Sequence, residues 1–169
     1  LTYWGSRNNP SLEKNIAHLL QCYREKKRPI IHIQHLSTED KSPLRPDQEG
    51  VNFMPEINPS SGETIFQKNV NSAFIGTTLE NYLHQNQIKN LTIVGLTTDH
   101  CVSTTTRMAA NLGFQVTLID DCLATFDKEY NGEFFSADLV HKISLASLSK
   151  EFARVFKTHQ DYINEHLID

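Results

Sequence analysis

The stretch 91–121 constrains the fold more than any other part of the chain. Residues 91–96 form a short, almost wholly apolar run, which is typical of a strand covered on both faces. Over 101–112, apolar side chains recur at spacings of three and four, which indicates a helix, and Gly113 stands where that helix would end. A second apolar run follows at 114–119. Strand, helix and strand in this order predict a βαβ unit with parallel strands.

Strands and helices alternate along the rest of the chain as well. The predicted elements are a helix over 10–27, strands over 30–35 and 63–68, a helix from Thr77 or Thr78 to 85, a helix over 134–149, a strand over 153–156 and a helix capped by Thr158. This alternation predicts an α/β fold, a three-layer αβα sandwich with a mainly parallel, doubly wound sheet. The length of 169 residues predicts a single domain over 1–169.

Two loops and the apolar side of one helix are also predicted from the sequence. Residues 36–63 are polar and lack periodicity, so we expect a long surface loop that helps to form a site. A polar loop is predicted from 122 to about Glu133. The helix predicted over 134–149 carries Leu139, Ile143 and Ala146 on one side.

Charge and cysteine content limit the partners and the compartment. The net charge is −4 and no basic block is present, which argues against nucleic acid or an anionic membrane as a partner. Three cysteines without a CxxC pair suit a reducing cytosol, and no apolar run approaches the roughly 20 residues that span a bilayer. We therefore expect a cytoplasmic protein.

Cys101 is the first candidate for chemistry. It follows the polar turn after the strand at 91–96 and stands at the start of a helix, where the helix dipole favours a thiolate. Ligands of parallel α/β sheets collect at the carboxyl ends of the strands, which is where this turn lies. A lone cysteine is also commonly a small buried apolar residue, so position alone leaves both interpretations open.

Lys68 is the second candidate. It stands at the carboxyl end of the strand predicted over 63–68, at the same edge of the sheet as the turn before Cys101. A free thiol has a pKa of about 8.5, so a nearby cation would favour its charged form near neutral pH. Taken alone, a lysine after a strand is more often a solvated surface residue.

The motif GLTTDHCV at 95–102, followed by Thr105, Met108 and the run 112–114, resembles the signature of the isochorismatase-like cysteine hydrolases. This superfamily includes nicotinamidases and N-carbamoyl amide hydrolases, and the resemblance extends over about 9–156. It implies a small-molecule hydrolase that cleaves a C–N bond through a cysteine nucleophile and a thioester, without a cofactor. It also implies a homo-oligomer, either a dimer or a tetramer.

The resemblance also implies individual roles. Lys68 followed by the Ser-Ala-Phe run at 72–74 matches the family's lysine motif, in which the lysine orients and activates the cysteine. The oxyanion is held in the family by two backbone N–H groups, which map onto Cys101 and Thr97. A non-proline cis peptide precedes the second donor, so we expect one at Leu96–Thr97.

Phe74, His100 and His35 are expected to line the substrate pocket. A structural role for His35 and a place in an interface for His100 are the alternatives. Nicotinamidases bind a metal through an Asp-x-His cluster after the second strand, and residues 35–40 lack that pattern. The i, i+3 spacing of His32 and His35 puts their side chains on opposite faces of a strand, so no metal is expected.

The family's third catalytic residue is an aspartate in an Asp-x-Gln motif at the end of its first strand. Asp40, Asp47 and Asp99 do not match that motif, and the chain opens at Leu1 without a strand. We therefore expect the family's N-terminal strand, with its aspartate, to be missing from the sequence. That strand would lie beside the strands at 30–35 and 91–96.

Two other functions remain open at this stage. A family member without the aspartate could be a non-catalytic binder or scaffold for a small ligand. A redox-sensing thiol is the third hypothesis, but no resolving cysteine is evident, because Cys122 lies at the far end of the next strand. Isochorismatase proper cleaves a vinyl ether and lacks the nucleophilic cysteine, so Cys101 argues against that reaction.

Overall fold

The computed structural model describes residues 2–168. Five α-helices span Leu12–Glu25 (α1), Leu79–Gln85 (α2), Ser103–Asn111 (α3), Ala137–Leu148 (α4) and His159–His166 (α5). Seven strands span Ile31–His35 (β1), Thr64–Lys68 (β2), Asn90–Leu96 (β3), Gln115–Ala124 (β4), Lys128–Tyr130 (β5), Glu133–Phe135 (β6) and Arg154–Phe156 (β7). Short 3-10 turns lie at Thr2–Trp4, Glu49–Val51 and Pro55–Ile57.

The parallel strands form two groups. Strands β1 and β2 pair in parallel, and β3, β4 and β7 form a second parallel sheet in the order β3-β4-β7. The α/β class predicted from the alternation of elements is confirmed. The strands do not join into one sheet within residues 2–168, since neither β1 nor β2 pairs with β3, β4 or β7 there.

Helices cover both faces of the β3-β4-β7 sheet. One core cluster joins β4 to α2, α3 and α4, and a second joins β4 to α1 and α5. Leu118 and Leu123 belong to the first cluster, whereas Ile119 and Cys122 belong to the second. Even-numbered residues of β4 therefore face the first cluster before residue 120, and odd-numbered ones face it after residue 121. The change occurs because the register of β4 against β3 shifts here, which leaves residues 120–121 in an irregular stretch of the strand.

Local sequence explains the two helices of the second cluster. Leu12, Ile16 and Leu19 are spaced by four and three residues, so α1 buries one stripe against the sheet. At the start of α5 the Thr158 side chain accepts a hydrogen bond from the Asp161 N–H, as predicted for an N-cap. No helix within residues 2–168 is long and apolar enough to cross a membrane.

Strand β3 packs on both core clusters, as its apolar sequence predicted: Leu91 and Ile93 contact the first cluster, and Val94 and Leu96 contact the second. Two other expectations from the sequence are wrong in detail. The segment predicted as a loop up to Glu133 contains an antiparallel hairpin of β5 and β6. Leu139, Ile143 and Ala146 do share one side of α4, but that side faces solvent.

Candidate active site

The ends of two parallel strands bring Lys68 and Cys101 together. Lys68 is the last residue of β2, and Cys101 lies in a π-helical turn, Thr98–Val102, that follows β3 and runs into α3. Lys68 Nζ is 3.2 Å from Cys101 Sγ. The lysine side chain is buried, with 6% of the residue surface exposed, so it is not the solvated surface lysine of the alternative interpretation.

Lys68 Nζ has two further acceptors. It lies 3.1 Å from His35 Nδ1 and donates a hydrogen bond of 2.8 Å to the Val70 carbonyl oxygen. Within residues 2–168 no carboxylate lies close enough to form an ion pair with this ammonium. The acceptors of Lys68 in the described part of the chain are therefore a ring nitrogen, a carbonyl and a sulfur.

The surroundings of His35 keep its ring neutral. Burial, reinforced by the positive charge of Lys68, lowers the pKa of His35 below its usual value of 6.5, and Glu39 opposes this shift. A neutral imidazole has one nitrogen that accepts a hydrogen bond. Because Nδ1 faces an ammonium, Nδ1 is the acceptor and the ring proton resides on Nε2.

Backbone hydrogen bonds shape the turn that carries Cys101. The Thr97 carbonyl accepts from the N–H groups of His100, at 3.2 Å, and Val102, at 3.1 Å. The peptide Leu96–Thr97 is cis, which confirms that expectation. The Thr97 hydroxyl oxygen is buried and has no hydrogen-bond partner in the described part of the chain.

A chain of three side chains, of which Thr98 and His141 are buried, supports the same turn. Thr98 Oγ1 is 2.8 Å from His141 Nδ1, and His141 Nε2 is 2.7 Å from Asp120 Oδ1. The hydrogen bond from His141 lowers the pKa of Asp120. The chain connects the turn to α4 and to the irregular stretch of β4. Sequence reasoning missed it, although a histidine on the apolar stripe Ala137, His141, Leu145 was a signal for it.

Asp99 points away from this chain to a third set of contacts. It accepts a hydrogen bond from Thr125 Oγ1, and its carboxylate lies 3.2 Å from Lys128 Nζ and 3.4 Å from His100 Nε2. Burial opposes ionisation, but the hydrogen bond from Thr125 and the charges of His100 and Lys128 outweigh it and lower the pKa of Asp99. The Asp99 carboxylate therefore has a structural role, since its contacts join the turn to residues after β4.

The three predicted pocket residues lie in different environments. His35 contacts Lys68, as described above. His100 is exposed beside Cys101. Phe74 is buried in the core and stacks on Phe114 with 5.9 Å between ring centroids, so its side chain does not line an open pocket. Asn71, which sequence reasoning did not select, is exposed and brings its Oδ1 to 3.8 Å from Cys101 Sγ.

One group of metal-ligand type occurs within residues 2–168, formed by Asp121, Cys122 and His159. Each oxygen of Asp121 already binds His159, one at the backbone N–H and one at Nδ1, both at 2.8 Å. Burial raises the pKa of the Cys122 thiol, which disfavours the thiolate that a metal would need. The group therefore serves as a link between β4 and the start of α5.

Comparison with known proteins places the chain in a family. Residues 2–160 match the family described as Isochorismatase domain. The isochorismatase family protein YrdC of Bacillus subtilis is 46% identical over 167 residues, which are 96% of this chain and 89% of that protein. The crystal structure of an isochorismatase-family protein from Chromobacterium violaceum has 47% identity and a TM-score of 0.88, and the match covers 92% of this chain and 81% of that one.

A shorter match connects the chain with an amidase of known name. N-carbamoylsarcosine amidase of Arthrobacter is 42% identical over 59 residues, which are 35% of this chain and 22% of that protein. The family match, by contrast, extends over nearly the whole sequence, and two relatives of high coverage share almost half of their residues with it. The chain therefore belongs to the isochorismatase family of hydrolases.

Proposed function

We propose that this protein hydrolyses a C–N bond of the amide type in a small molecule, with Cys101 as the nucleophile. The observation that carries the proposal is the contact of 3.2 Å between the buried Lys68 Nζ and Cys101 Sγ. An ammonium at this distance stabilises a thiolate, which is the reactive form of cysteine. The name of the Arthrobacter relative, an amidase, supports the same bond type.

The proposed reaction has two stages. The Cys101 thiolate attacks the carbonyl carbon, and the backbone N–H groups of Thr97 and Cys101 stabilise the oxyanion that forms. The C–N bond then breaks, and the leaving nitrogen takes a proton from the Lys68 ammonium. Water attacks the resulting thioester and returns a proton to the amine of Lys68, so that thiolate and ammonium are restored.

A second candidate is a non-catalytic binder of a small ligand. The observation that favours it is the lack of a carboxylate partner for Lys68 within residues 2–168, because Lys68 would then have to carry the proton without the help of a second acid–base group. The two candidates differ in what they require of Cys101. Only the hydrolase requires a sulfur that reacts as a thiolate near neutral pH.

Alkylation of Cys101 by iodoacetamide at pH 7, followed by peptide mass spectrometry, tests the proposal. We expect Cys101 to react first and Lys68→Met to slow its alkylation by about tenfold, since an adjacent opposite charge favours ionisation to at least this degree. Lys89→Met, at an exposed lysine, is the matched control and leaves the rate unchanged. Cys22 and Cys122 are internal controls, because burial raises the pKa of both thiols.

Hydrolysis itself is measured as release of ammonia from a panel of small amides and N-carbamoyl compounds. We expect wild type to release ammonia from at least one compound and Cys101→Ser to release none. An alkylation rate that is the same in wild type and Lys68→Met, together with no release from any compound, would leave the ligand binder as the better description.

A further inference from the structure

Lys68 presents three N–H donors to three acceptors. A lysine ammonium carries three N–H bonds and accepts none. The three acceptors in the described structure are His35 Nδ1 at 3.1 Å, the Val70 carbonyl at 2.8 Å and Cys101 Sγ at 3.2 Å. The first two contacts therefore determine where the third N–H bond points, and that bond points at the sulfur.

The contact between His35 and Lys68 is built into the strand pairing. The two residues are Cα partners at the last position of the parallel pair of β1 and β2. The ladder continues beyond them with a hydrogen bond of 2.7 Å from the Leu36 N–H to the Lys68 carbonyl. The register, and not a flexible loop, therefore holds the imidazole beside the ammonium.

We propose that His35 is a positioning residue, whose neutral Nδ1 aims the Lys68 ammonium at Cys101 and whose protonation releases it. This inference rests on the proposed function, because it assigns a role to the group that would sustain the thiolate. An imidazolium has two donors and no acceptor, so it cannot keep the contact with Lys68. It would also place a second positive charge against the first.

The charged and titratable groups around His35 determine the pH range in which its protonation releases Lys68. Lys68 faces it from β2, with Cys101 beyond the ammonium, and Glu39 approaches from the loop after β1. Burial and Lys68 lower the pKa of His35, while the Val70 backbone and Glu39 oppose them. The ring is therefore neutral near pH 7 and becomes protonated only in the acidic range below its ordinary value.

Two substitutions distinguish the role of His35 as a hydrogen-bond acceptor from its role in filling space. In His35→Asn the side-chain oxygen can take the place of Nδ1 as an acceptor, and the side chain does not titrate. His35→Leu fills similar space without an acceptor. We expect His35→Leu to slow alkylation of Cys101 at pH 7 by about tenfold, the effect of losing one hydrogen bond to a charged group, and His35→Asn to stay within about twofold of wild type.

The pH profile gives the second measurement. In wild type the alkylation rate of Cys101 depends on two groups, so its logarithm falls more steeply than one unit per pH unit at the acid end. His35→Asn removes one of these groups and restores the slope of a single titration. Equal alkylation rates in the Asn and Leu variants at pH 7, or a wild-type slope no steeper than that of His35→Asn, would overturn the proposal, because a packing role predicts neither difference.

A measurement on the unaltered chain covers the case in which a variant does not fold. Nitrogen-15 NMR of the His35 ring at pH 7 is expected to show Nδ1 without a proton and Nε2 with one. A proton on Nδ1 would contradict the inference directly. Failure of the proposed function has a different signature, namely slow alkylation of Cys101 in wild type that Lys68→Met does not change.

Discussion

At the scale of single residues, Glu63 illustrates how one carboxylate organises its surroundings. It accepts hydrogen bonds from Arg24 on α1, at 2.7 and 3.0 Å, and from the Ser60 N–H at 2.8 Å, and it lies 2.7 Å from His32 Nε2 on β1. The hydrogen bonds from Arg24 dominate and lower the pKa of Glu63 to about 2. The carboxylate thus joins a helix, a strand and the long loop.

The stability of the fold should depend on this carboxylate in a defined pH window. Its folded pKa lies below the unfolded value of 4.5, so the stabilisation is fully present above pH 4.5 and is lost as the pH falls towards 2. We expect Glu63→Gln to lower the free energy of unfolding by about 1–3 kcal/mol at pH 7 and by less at pH 3. Urea unfolding at both pH values measures this.

Glu165→Gln provides the matched control. Glu165 forms a two-point ion pair with Arg154, at 2.7 and 2.9 Å, but both side chains are about half exposed. Exposed ion pairs contribute little to stability, so we expect Glu165→Gln to change the free energy of unfolding by about 0.5 kcal/mol or less at either pH. An equal loss for the two variants would show that burial of the Glu63 carboxylate does not matter.

The candidate site also shows which residue contacts a sequence can predict. Lys68 and Cys101 were predicted together because Lys68 ends one strand and Cys101 follows the turn after another, and parallel strands bring their carboxyl ends to one edge of a sheet. The contact between His35 and Lys68 was not predicted, because it depends on strand register. The contact of Thr98 with His141 was missed because it depends on how α4 packs against the turn.

At the scale of secondary structure, α4 shows why the position of a helix can be predicted correctly from sequence while its buried face cannot. Two stripes run along it with the same helical period, one formed by Ala137, His141, Leu145 and Leu148 and one by Leu139, Ile143 and Ala146. Periodicity alone favours the wholly apolar stripe. The structure buries the other one, because Asp120 and Thr98 satisfy both nitrogens of the histidine.

A pair of truncations on α4 tests this assignment. Leu148 is fully buried and Leu139 is 44% exposed. We expect Leu148→Ala to lower the free energy of unfolding by about 2–5 kcal/mol, as removal of a buried leucine side chain usually does. Leu139→Ala should cost less than about 1 kcal/mol, since its surface is already partly in water.

Chemical denaturation of the two variants beside wild type measures both values. The same substitution on the same helix keeps the changes in helix propensity similar, so the difference between the two free energies of unfolding reports mainly burial. A larger loss for Leu139→Ala than for Leu148→Ala would reverse the assignment of the two faces.

At the scale of the whole molecule, alternation along the chain was enough to predict an α/β fold, but not how the strands group. Which strands pair depends on contacts between distant segments, and the apolar sequence of β3 does not show which strand lies beside it. The hairpin of β5 and β6 was missed because strands of three residues are too short to show alternation.

The N-terminal segment connects to the rest of the molecule at the end of β4. The Trp4 ring lies 5.7 Å from that of Phe126, and the Asn8 side chain accepts a hydrogen bond of 2.8 Å from the Thr125 N–H. A backbone hydrogen bond of 3.0 Å joins the Asp127 N–H to the Ser6 carbonyl. Since Trp4 is the only tryptophan in the sequence, its fluorescence reports on this contact.

Both core clusters share β4, so we expect the helices on the two faces of the sheet and the N-terminal segment to unfold together. Thermal unfolding followed by Trp4 fluorescence and by far-ultraviolet circular dichroism should give one midpoint. Leu148→Ala, in the first cluster, and Ile163→Ala, in the second, should each lower that midpoint equally for both probes. A variant that shifts the circular dichroism and leaves the fluorescence in place would show that the N-terminal segment unfolds separately from the cluster truncated in that variant.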